Sequence, residues 1–205
     1  MPQQDRAYAT REAILRAAAQ EFDRLGYDRT SLTAVLARAG LTKGAFYFHF
    51  ASKDAVAGAL TEYQHDFWVE MRQRWHARGL DPLHTLVGMV VESADRMAAD
   101  VVLRAGVRLT ADREVGYPGV PNSHLMWEKM IAAYVAEAGE CGHLREGVDP
   151  AAVARTICGA TLGARLISSA TTMCADFPDR LREVLRLVLP SVANDAWLSA
   201  WDGLS

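Results

Sequence analysis

Apolar residues recur at helical spacing along almost the whole chain. In the first segment Leu15, Ala18, Ala19, Phe22 and Leu25 follow the spacing i, i+3, i+4, i+7 and i+10, which is typical of an amphipathic helix with one buried face. The alternation of apolar and polar residues that marks a half-buried strand is missing. The sequence therefore predicts an all-α fold.

Glycine and serine residues divide the N-terminal part of the chain into short and long helices. Gly26, Gly40 and Gly79 stand where the first, second and fourth apolar patterns end, and Ser31 and Ser52 precede the second and fourth. The predicted helices are one that ends at Gly26, one from Ser31 to Gly40, one of about seven residues from Lys43, and one from Ser52 to about Arg78.

Proline organises the C-terminal part. Asp81-Pro82 and Asp149-Pro150 each pair a cap residue with proline at the first helical position. They predict helices over 82–99 and 150–172, and the pattern adds helices over 101–111, 123–138 and 178–189. Residues 115–121 are rich in turn residues and are interpreted as a loop. We expect Pro190 to interrupt the helical pattern, followed by a last turn or two that carries Trp197 and Trp201.

The segment from Thr30 to Phe50 is the most informative about function. Two short helices joined by a tight glycine turn form helix-turn-helix geometry, in which the second helix enters the major groove of DNA. Thr42, Lys43, Tyr47 and His49 place donors and a cation on that helix, and Gly44 lets its backbone approach the bases. These residues are our candidates for contacts with DNA.

Flanking residues suit the phosphate backbone. Ser31 and Thr33 lie at the N-terminus of the second helix, where free N–H groups and the dipole favour an anion. Lys53 lies at the N-terminus of the fourth helix, where a cation does not complement the dipole, and we interpret it as a phosphate ligand.

Ordinary helix packing is the alternative interpretation of the same segment. In that case Phe46, Phe48 and Phe50 are all core residues, and Lys43 and His49 are solvated surface residues.

Charge is distributed unevenly along the chain. The net charge is −3, yet residues 1–53 contain eight Lys or Arg residues and five acidic ones, and the other residues contain 14 bases and 20 acids. A basic N-terminal part on an acidic body confines DNA affinity to one end. No apolar run is long enough to span a membrane and the N-terminus is polar, so we expect a cytoplasmic protein without a membrane partner.

Residues Thr30 to Leu60 closely resemble the DNA-binding domain of the TetR family. The resemblance rests on Gly-Leu-Thr-Lys-Gly-Ala-Phe-Tyr-Phe-His-Phe at 40–50, followed by Ser-Lys-Asp at 52–54. It implies that Phe46 and Phe50 hold the core, that about nine helices form, and that the last two long helices make a dimer. It implies DNA contacts by Thr42, Lys43, Gly44, Tyr47, His49 and Lys53. We expect a three-helix DNA-binding domain over 1–52, with its motif at about 31–50, and a ligand-binding and dimerisation domain over 53–205.

The body resembles a narrower branch of that family, the γ-butyrolactone receptors. Leu-Arg-Ala-Gly-Val-Arg-Leu at 103–109, Trp127-Glu128 and a Gly/Thr-rich helix carry this resemblance. It implies that Trp127 covers a ligand pocket and that Gln64 and Thr161 bind the ligand's oxygen atoms. Apolar residues that line such a pocket, or that are plain core, are Phe67, Trp68, Leu86, Val87, Val90, Met126, Met130, Ile157 and Leu162.

Small residues on one predicted helix suggest a dimer seam. Gly159, Ala160 and Gly163 keep one face of the helix over 150–172 small, so that a neighbour can approach closely. The apolar stripe Leu181, Leu185, Val188 and Leu189 on the next helix is the expected partner. Operator half-sites with two-fold symmetry require a dimer, although an intramolecular contact would explain the same pattern.

The sequence therefore predicts a homodimeric repressor that binds double-stranded operator DNA and is released by a small hydrophobic signal such as a γ-butyrolactone, a butenolide or a furan. A regulator that responds to an antibiotic or another metabolite, and an architectural dimer without an effector, are the alternatives. A helical enzyme would need a placed nucleophile or carboxylate pair, and none is evident. The six histidines and three cysteines lack metal-ligand spacing, so we expect no enzyme activity, metal or cofactor.

Overall fold

The computed structural model describes residues 3–111 and 123–201, and the regular elements in these ranges are ten α-helices. The all-α prediction is confirmed. The helices are α1 (Gln3–Leu25), α2 (Leu32–Ala39), α3 (Lys43–His49), α4 (Lys53–His76), α5 (Pro82–Ala99), α6 (Val101–Ala111), α7 (Ser123–Glu140), α8 (Pro150–Thr172), α9 (Phe177–Val192) and α10 (Asp195–Ala200). The predicted loop at 115–121 lies outside the described residues.

Local capping explains why the predicted boundaries of the short helices are confirmed. The Ser31 hydroxyl accepts a hydrogen bond from the Ala34 N–H at 3.1 Å, and Gly40 takes the left-handed conformation, with φ of 65°, that ends α2. Thr42 caps α3 in the same way, accepting from the Ala45 N–H at 3.2 Å. These caps involve residues within a few positions of each other, so the sequence displays them.

Pro190 does not interrupt the ninth helix, and this prediction is wrong. Helix α9 continues through Pro190 to Val192. Proline removes one backbone donor from a helix interior, but Pro190 is exposed and stands in the last turn. Arg145 holds this turn from outside, because its Nε donates to the Pro190 carbonyl at 2.8 Å and its backbone N–H donates to the Val192 carbonyl at 3.0 Å.

The chain divides into two compact units. The first consists of the described residues within Met1–Val69 and Asp100–Ser123, and the second of those within Glu70–Ala99 and His124–Ser205. Fully buried Phe22, Phe46 and Leu60 lie in one core cluster of the first unit. The functional division predicted at residues 52 and 53 concerns what each part binds, and it stays a prediction.

In the second unit, α9 packs against both α5 and α8. Leu181, Leu185 and Leu189 of α9 are buried there. Trp197 of α10 is buried in a small cluster with Leu83 and Ala138, and its indole N–H donates to the Asp81 carboxylate at 3.0 Å. Among the helices of the described ranges, none has the length and apolarity needed to cross a membrane.

Candidate DNA-binding surface and ligand-binding residues

Helix α3 has one buried face and one exposed face. Phe46 and Phe50 lie in the core of the first unit, as predicted. Thr42, Lys43 and Gly44 are exposed around the start of the helix, and Tyr47 is 55 % exposed. The arrangement presents the candidate DNA contacts to solvent while two phenylalanine rings anchor the helix from below.

The two cap hydroxyls keep a donor for a phosphate. Ser31 and Thr42 use their side-chain oxygens as acceptors for the helix N–H groups, and a hydroxyl has one donor in addition to its acceptor capacity. Thr33 is exposed in the first turn of α2. The exposed hydroxyls can therefore make the phosphate contacts predicted for Ser31 and Thr33 and the DNA contact predicted for Thr42. All three contacts stay predictions.

Lys53 has a structural role that the sequence argument missed. Its Nζ donates to the carbonyls of Tyr27 and Thr30 at 3.0 Å each and lies 3.9 Å from the centroid of the Tyr27 ring. These contacts with the α1–α2 loop account for a lysine at the start of α4 without any phosphate. An ammonium group has three donors, so the DNA contact predicted for Lys53 depends on the third.

Phe48 is an exposed aromatic residue, and its position argues against the alternative of ordinary helix packing. Ordinary packing would bury Phe48 with Phe46 and Phe50, but Phe48 is 80 % exposed. A helix turns by about 100° per residue, so a residue two positions from both buried rings points away from them. The spacing of the three phenylalanines along the helix therefore indicates that Phe48 is exposed. His49 is half-buried, and its ring meets the Phe48 ring edge-on at 5.0 Å.

A buried carboxylate fastens α2 to α1. Arg38 Nε donates to Glu21 Oε1 at 2.6 Å and Arg24 donates to Glu21 Oε2 at 3.1 Å. Burial raises the pKa of Glu21, but the hydrogen bonds and positive charges of Arg38 and Arg24 outweigh it and hold the pKa below its ordinary value. Glu21 is thus an ionised, paired group that fixes the helix next to the candidate DNA-binding helix.

Helix α6 is fastened to α1 and pressed closely onto α4. Arg104 Nε donates to Asp23 Oδ2 at 2.9 Å, and the Arg108 guanidinium donates to the Asp23 carbonyl. Gly106 lies between the two arginines, where a Cβ atom would be only 2.5 Å from Gln64 Cβ and 2.6 Å from the Leu60 carbonyl oxygen. The Leu-Arg-Ala-Gly-Val-Arg-Leu segment at 103–109 is therefore the part of the chain that joins α6 to α1 and α4.

Gln64 has a polar neighbour that sequence reasoning did not identify. Gln64 is buried, and the hydroxyl of buried Thr110 is 3.4 Å from its Oε1. The same hydroxyl lies 3.1 Å from the carbonyls of Gly106 and Val107. Thr110 is one helical turn after Gly106. This spacing places the two residues on the same face of α6, and it is the sequence pattern that could have identified Thr110 as a neighbour of Gln64. Phe67 is buried and Trp68 half-buried in the same unit.

The other candidate ligand-binding residues belong to the second unit and differ in burial. Leu86, Val87, Val90 and Ile157 are buried, as core or pocket residues would be. Trp127, Met130, Thr161 and Leu162 are half-buried, and Met126 is exposed. An open groove of about 400 Å³ in this unit is lined by other residues, among them Arg145, Asp149, Thr156 and Val188. The ligand-binding role of the candidates stays a prediction.

The three leucines of the apolar stripe of α9 do not face a second subunit, and for them the prediction is wrong. Val188, the fourth residue of the stripe, is half-buried, and its role stays a prediction. Leu181, Leu185 and Leu189 are buried within the single chain, because α9 packs its apolar face on α5 and α8. Exposed apolar residues lie elsewhere on these helices: Leu166 and Ile167 on α8 and Leu187 on α9. A Cβ atom at Gly159 or Gly163 would meet nothing within 4 Å, so the small face of α8 is open.

Two observations concern the titratable groups of the described residues. Within residues 3–111 and 123–201, no three His, Cys, Asp or Glu side chains gather in a way that could hold a metal ion. Burial, followed by the charge of Glu128, raises the pKa of Cys158 to about 11. Its thiol is therefore protonated near neutral pH and acts as a small apolar group.

Comparison with known proteins places these features in context. Residues 14–60 match the family described as bacterial regulatory proteins, tetR family. The chain is 35 % identical to the A-factor receptor protein of Streptomyces griseus over 194 residues, which cover 95 % of this chain and 67 % of that protein.

Two solved structures extend the comparison to the fold. CprB from Streptomyces coelicolor, solved in complex with its biological operator sequence, matches with a TM-score of 0.81 and 31 % identity over 95 % of this chain and 94 % of that chain. A γ-butyrolactone receptor described as ArpA-like matches with a TM-score of 0.80 and 28 % identity over 95 % of this chain and 93 % of that chain.

Proposed function

Because this chain belongs to the TetR family of bacterial regulatory proteins, we propose that it is a dimeric transcriptional repressor that binds operator DNA through α2 and α3. The observation that carries the proposal is α3 itself. Its phenylalanine anchors are buried, and Lys43, Gly44 and Tyr47 are exposed on a helix of seven residues. The relative CprB was solved with an operator.

The residues of the proposed interface make two kinds of contact, with base edges and with phosphates. Tyr47 and His49 reach the major groove from α3, Lys43 reaches a phosphate at the edge of the groove, and Gly44 lets the helix backbone come close to the base edges. Ser31, Thr33 and Thr42 donate to phosphates from the starts of α2 and α3. Such phosphate contacts set the register of the protein on the duplex, while the groove contacts read its sequence.

We propose further that a small, largely apolar signal releases the repressor from DNA. Two relatives are named for such signals, an A-factor receptor and a γ-butyrolactone receptor. In the second unit, Trp127 and Met130 of α7 offer half-buried apolar surface and Thr161 of α8 offers a hydroxyl. A γ-butyrolactone, a butenolide or a furan with an apolar chain has the matching chemistry, because it combines ring oxygens with a hydrophobic tail.

The dimer is proposed to form through the exposed faces of α8 and α9. Leu166 and Ile167 are more than half exposed and Leu187 is 80 % exposed, and the open sites at Gly159 and Gly163 allow a second helix to approach. Two half-sites on one face of a duplex require two recognition helices at a fixed separation. A dimer supplies that separation.

Release is a two-state change in this proposal. The ligand favours a conformation in which the two recognition helices no longer match two half-sites. Moving the population from almost all bound to almost all released requires a preference of about 5.5 kcal/mol for the released state. We place the protein in the cytoplasm, where its DNA is, and assign it no catalytic step or cofactor.

The test begins with selection of bound duplexes from a random-sequence DNA library by the full-length protein. The proposal expects a two-fold symmetric consensus and a complex of one duplex with an even number of chains in sedimentation. Selection that yields no consensus would contradict operator binding. A consensus bound by a single chain would contradict the dimer.

A further inference from the structure

We infer that Phe48 reads thymine in the operator through the C5-methyl group of the base. The inference rests on the DNA-binding function proposed above and adds a specificity-determining residue to it. No hydrogen bond is involved, because a phenylalanine side chain has neither donor nor acceptor.

Exposure and position single out Phe48. It is 80 % exposed, more than Tyr8, Tyr47 or Tyr63 in the same unit. It belongs to the same unit as a well-packed core that buries Phe46 and Phe50, so the short helix had two apolar anchors already. The exposed ring of Phe48 contributes nothing to that core. It can contribute to binding if a partner covers it.

The surface beside Phe48 is open to a base edge. Residues 44, 47 and 48 of α3 share one side of the helix, because positions three and four apart are neighbours. A Cβ atom at Gly44 would meet no atom closer than Thr42 Oγ1, at 3.9 Å. A small group at Gly44, one turn before Phe48, would therefore meet no closer side chain than Thr42, and Tyr47 beside it supplies a polar hydroxyl.

The chemistry of the major groove identifies the contact. Adenine, guanine and cytosine present hydrogen-bonding atoms there, whereas thymine also presents a methyl group. An apolar ring with no hydrogen-bonding atom gains from contact with that methyl group and gains little from the other edges. The ligand class is therefore a pyrimidine with a 5-methyl group, which in unmodified DNA is thymine.

The experiment removes the methyl group without changing any hydrogen bond. In the duplex selected by the protein, each thymine is replaced in turn by deoxyuridine, and affinity is measured by fluorescence anisotropy. We expect one thymine per half-site at which the wild-type protein loses about fourfold in affinity, the factor that corresponds to burial of one methyl group. Phe48→Ala should bind the thymine and the deoxyuridine duplexes equally at that position.

Tyr8→Ala is the matched control, because it removes an aromatic ring that is 68 % exposed on α1 and should keep the thymine preference. Thermal melting should be nearly unchanged in Phe48→Ala, since the ring is outside the core. A wild-type protein that binds its duplex but is indifferent to every deoxyuridine replacement overturns the inference and leaves the proposed function intact. A preference that persists in Phe48→Ala assigns the thymine contact to another residue and also overturns it.

Discussion

Arg104 of α6 donates from Nε to the carboxylate of Asp23 of α1 across 2.9 Å. The two residues are 81 positions apart in the chain, and both side chains are mostly buried, at 12 % and 18 % exposure. The contact ties α6 to the helix that supports α2 and α3. The pair therefore fixes the position of α6 on α1, and α1 packs against α2.

Asp23→Asn should weaken this connection. The substitution keeps the shape of the side chain and removes its charge, so we expect the free energy of unfolding to fall by about 1.5–3 kcal/mol, as for hydrogen bonds between charged groups. Urea unfolding measures the change. Arg155→Ala is the matched control, since it breaks the exposed pair with Asp149 and should change stability by at most about 0.5 kcal/mol. Equal effects of the two substitutions would contradict a coupling role for Asp23.

Glu21 predicts a specific dependence of stability on pH. Its pKa is lowered in the folded protein, so its contribution is fully present above the ordinary glutamate pKa and is lost as pH falls through the folded value. Glu21→Gln should therefore be less stable than the wild type at pH 7, and the difference should shrink below about pH 4.3. Paired thermal melts from pH 7 to pH 3 isolate this group, because other carboxylates are common to both proteins. A difference that stays constant would refute the assignment.

Lys43 and Lys53 should respond differently to replacement by alanine. Lys43 is exposed on α3, so Lys43→Ala should reduce the slope of log affinity against log salt by about 0.9 for its one phosphate and leave melting unchanged. Lys53→Ala removes the donor from the carbonyls of Tyr27 and Thr30 and should lower the melting temperature as well. An unchanged slope in Lys43→Ala would exclude Lys43 from the DNA backbone.

Substitutions at Leu187 and Leu185 distinguish residues of the dimer interface from residues of the core. Leu187→Glu places a charge on the exposed face of α9 and should give folded monomers that bind the operator poorly. Leu185→Ala creates a cavity in the second unit and should cost about 2–5 kcal/mol of stability without a specific effect on assembly. Sedimentation and urea unfolding on the same preparations distinguish the two effects. A Leu187→Glu protein that remains dimeric places the seam on another surface.

Sequence reasoning succeeded where neighbouring residues determine the structure. The cap at Ser31 and the left-handed Gly40 that ends α2 are local, and the resemblance to the TetR family placed Phe46 and Phe50 in the core. It failed where distant contacts decide. The apolar stripe at Leu181 and Leu185 has the same sequence pattern whether it packs against α5 of the same chain or against a second subunit.

Lys53 shows the same limit for electrostatics. A lysine at a helix N-terminus is unfavourable when only the helix dipole is considered, and the carbonyls of Tyr27 and Thr30 that compensate it lie 23 or more residues away in the chain. Pro190 is a second example, because Arg145, which donates to its carbonyl, is 45 positions away in the chain. Such contacts depend on the tertiary fold and have no local signature.

The most direct test of the central claim is the release of a selected duplex by a small molecule, followed by fluorescence anisotropy at fixed salt. A γ-butyrolactone, a butenolide and a furan, each with an apolar side chain, are titrated against the protein–DNA complex, with Trp127→Ala as the comparison. We predict saturable release by at least one of the three and a weakened response in Trp127→Ala, whose operator affinity and melting temperature stay near wild type. A duplex that stays bound at saturating concentrations of all three would contradict release by a signal of this class.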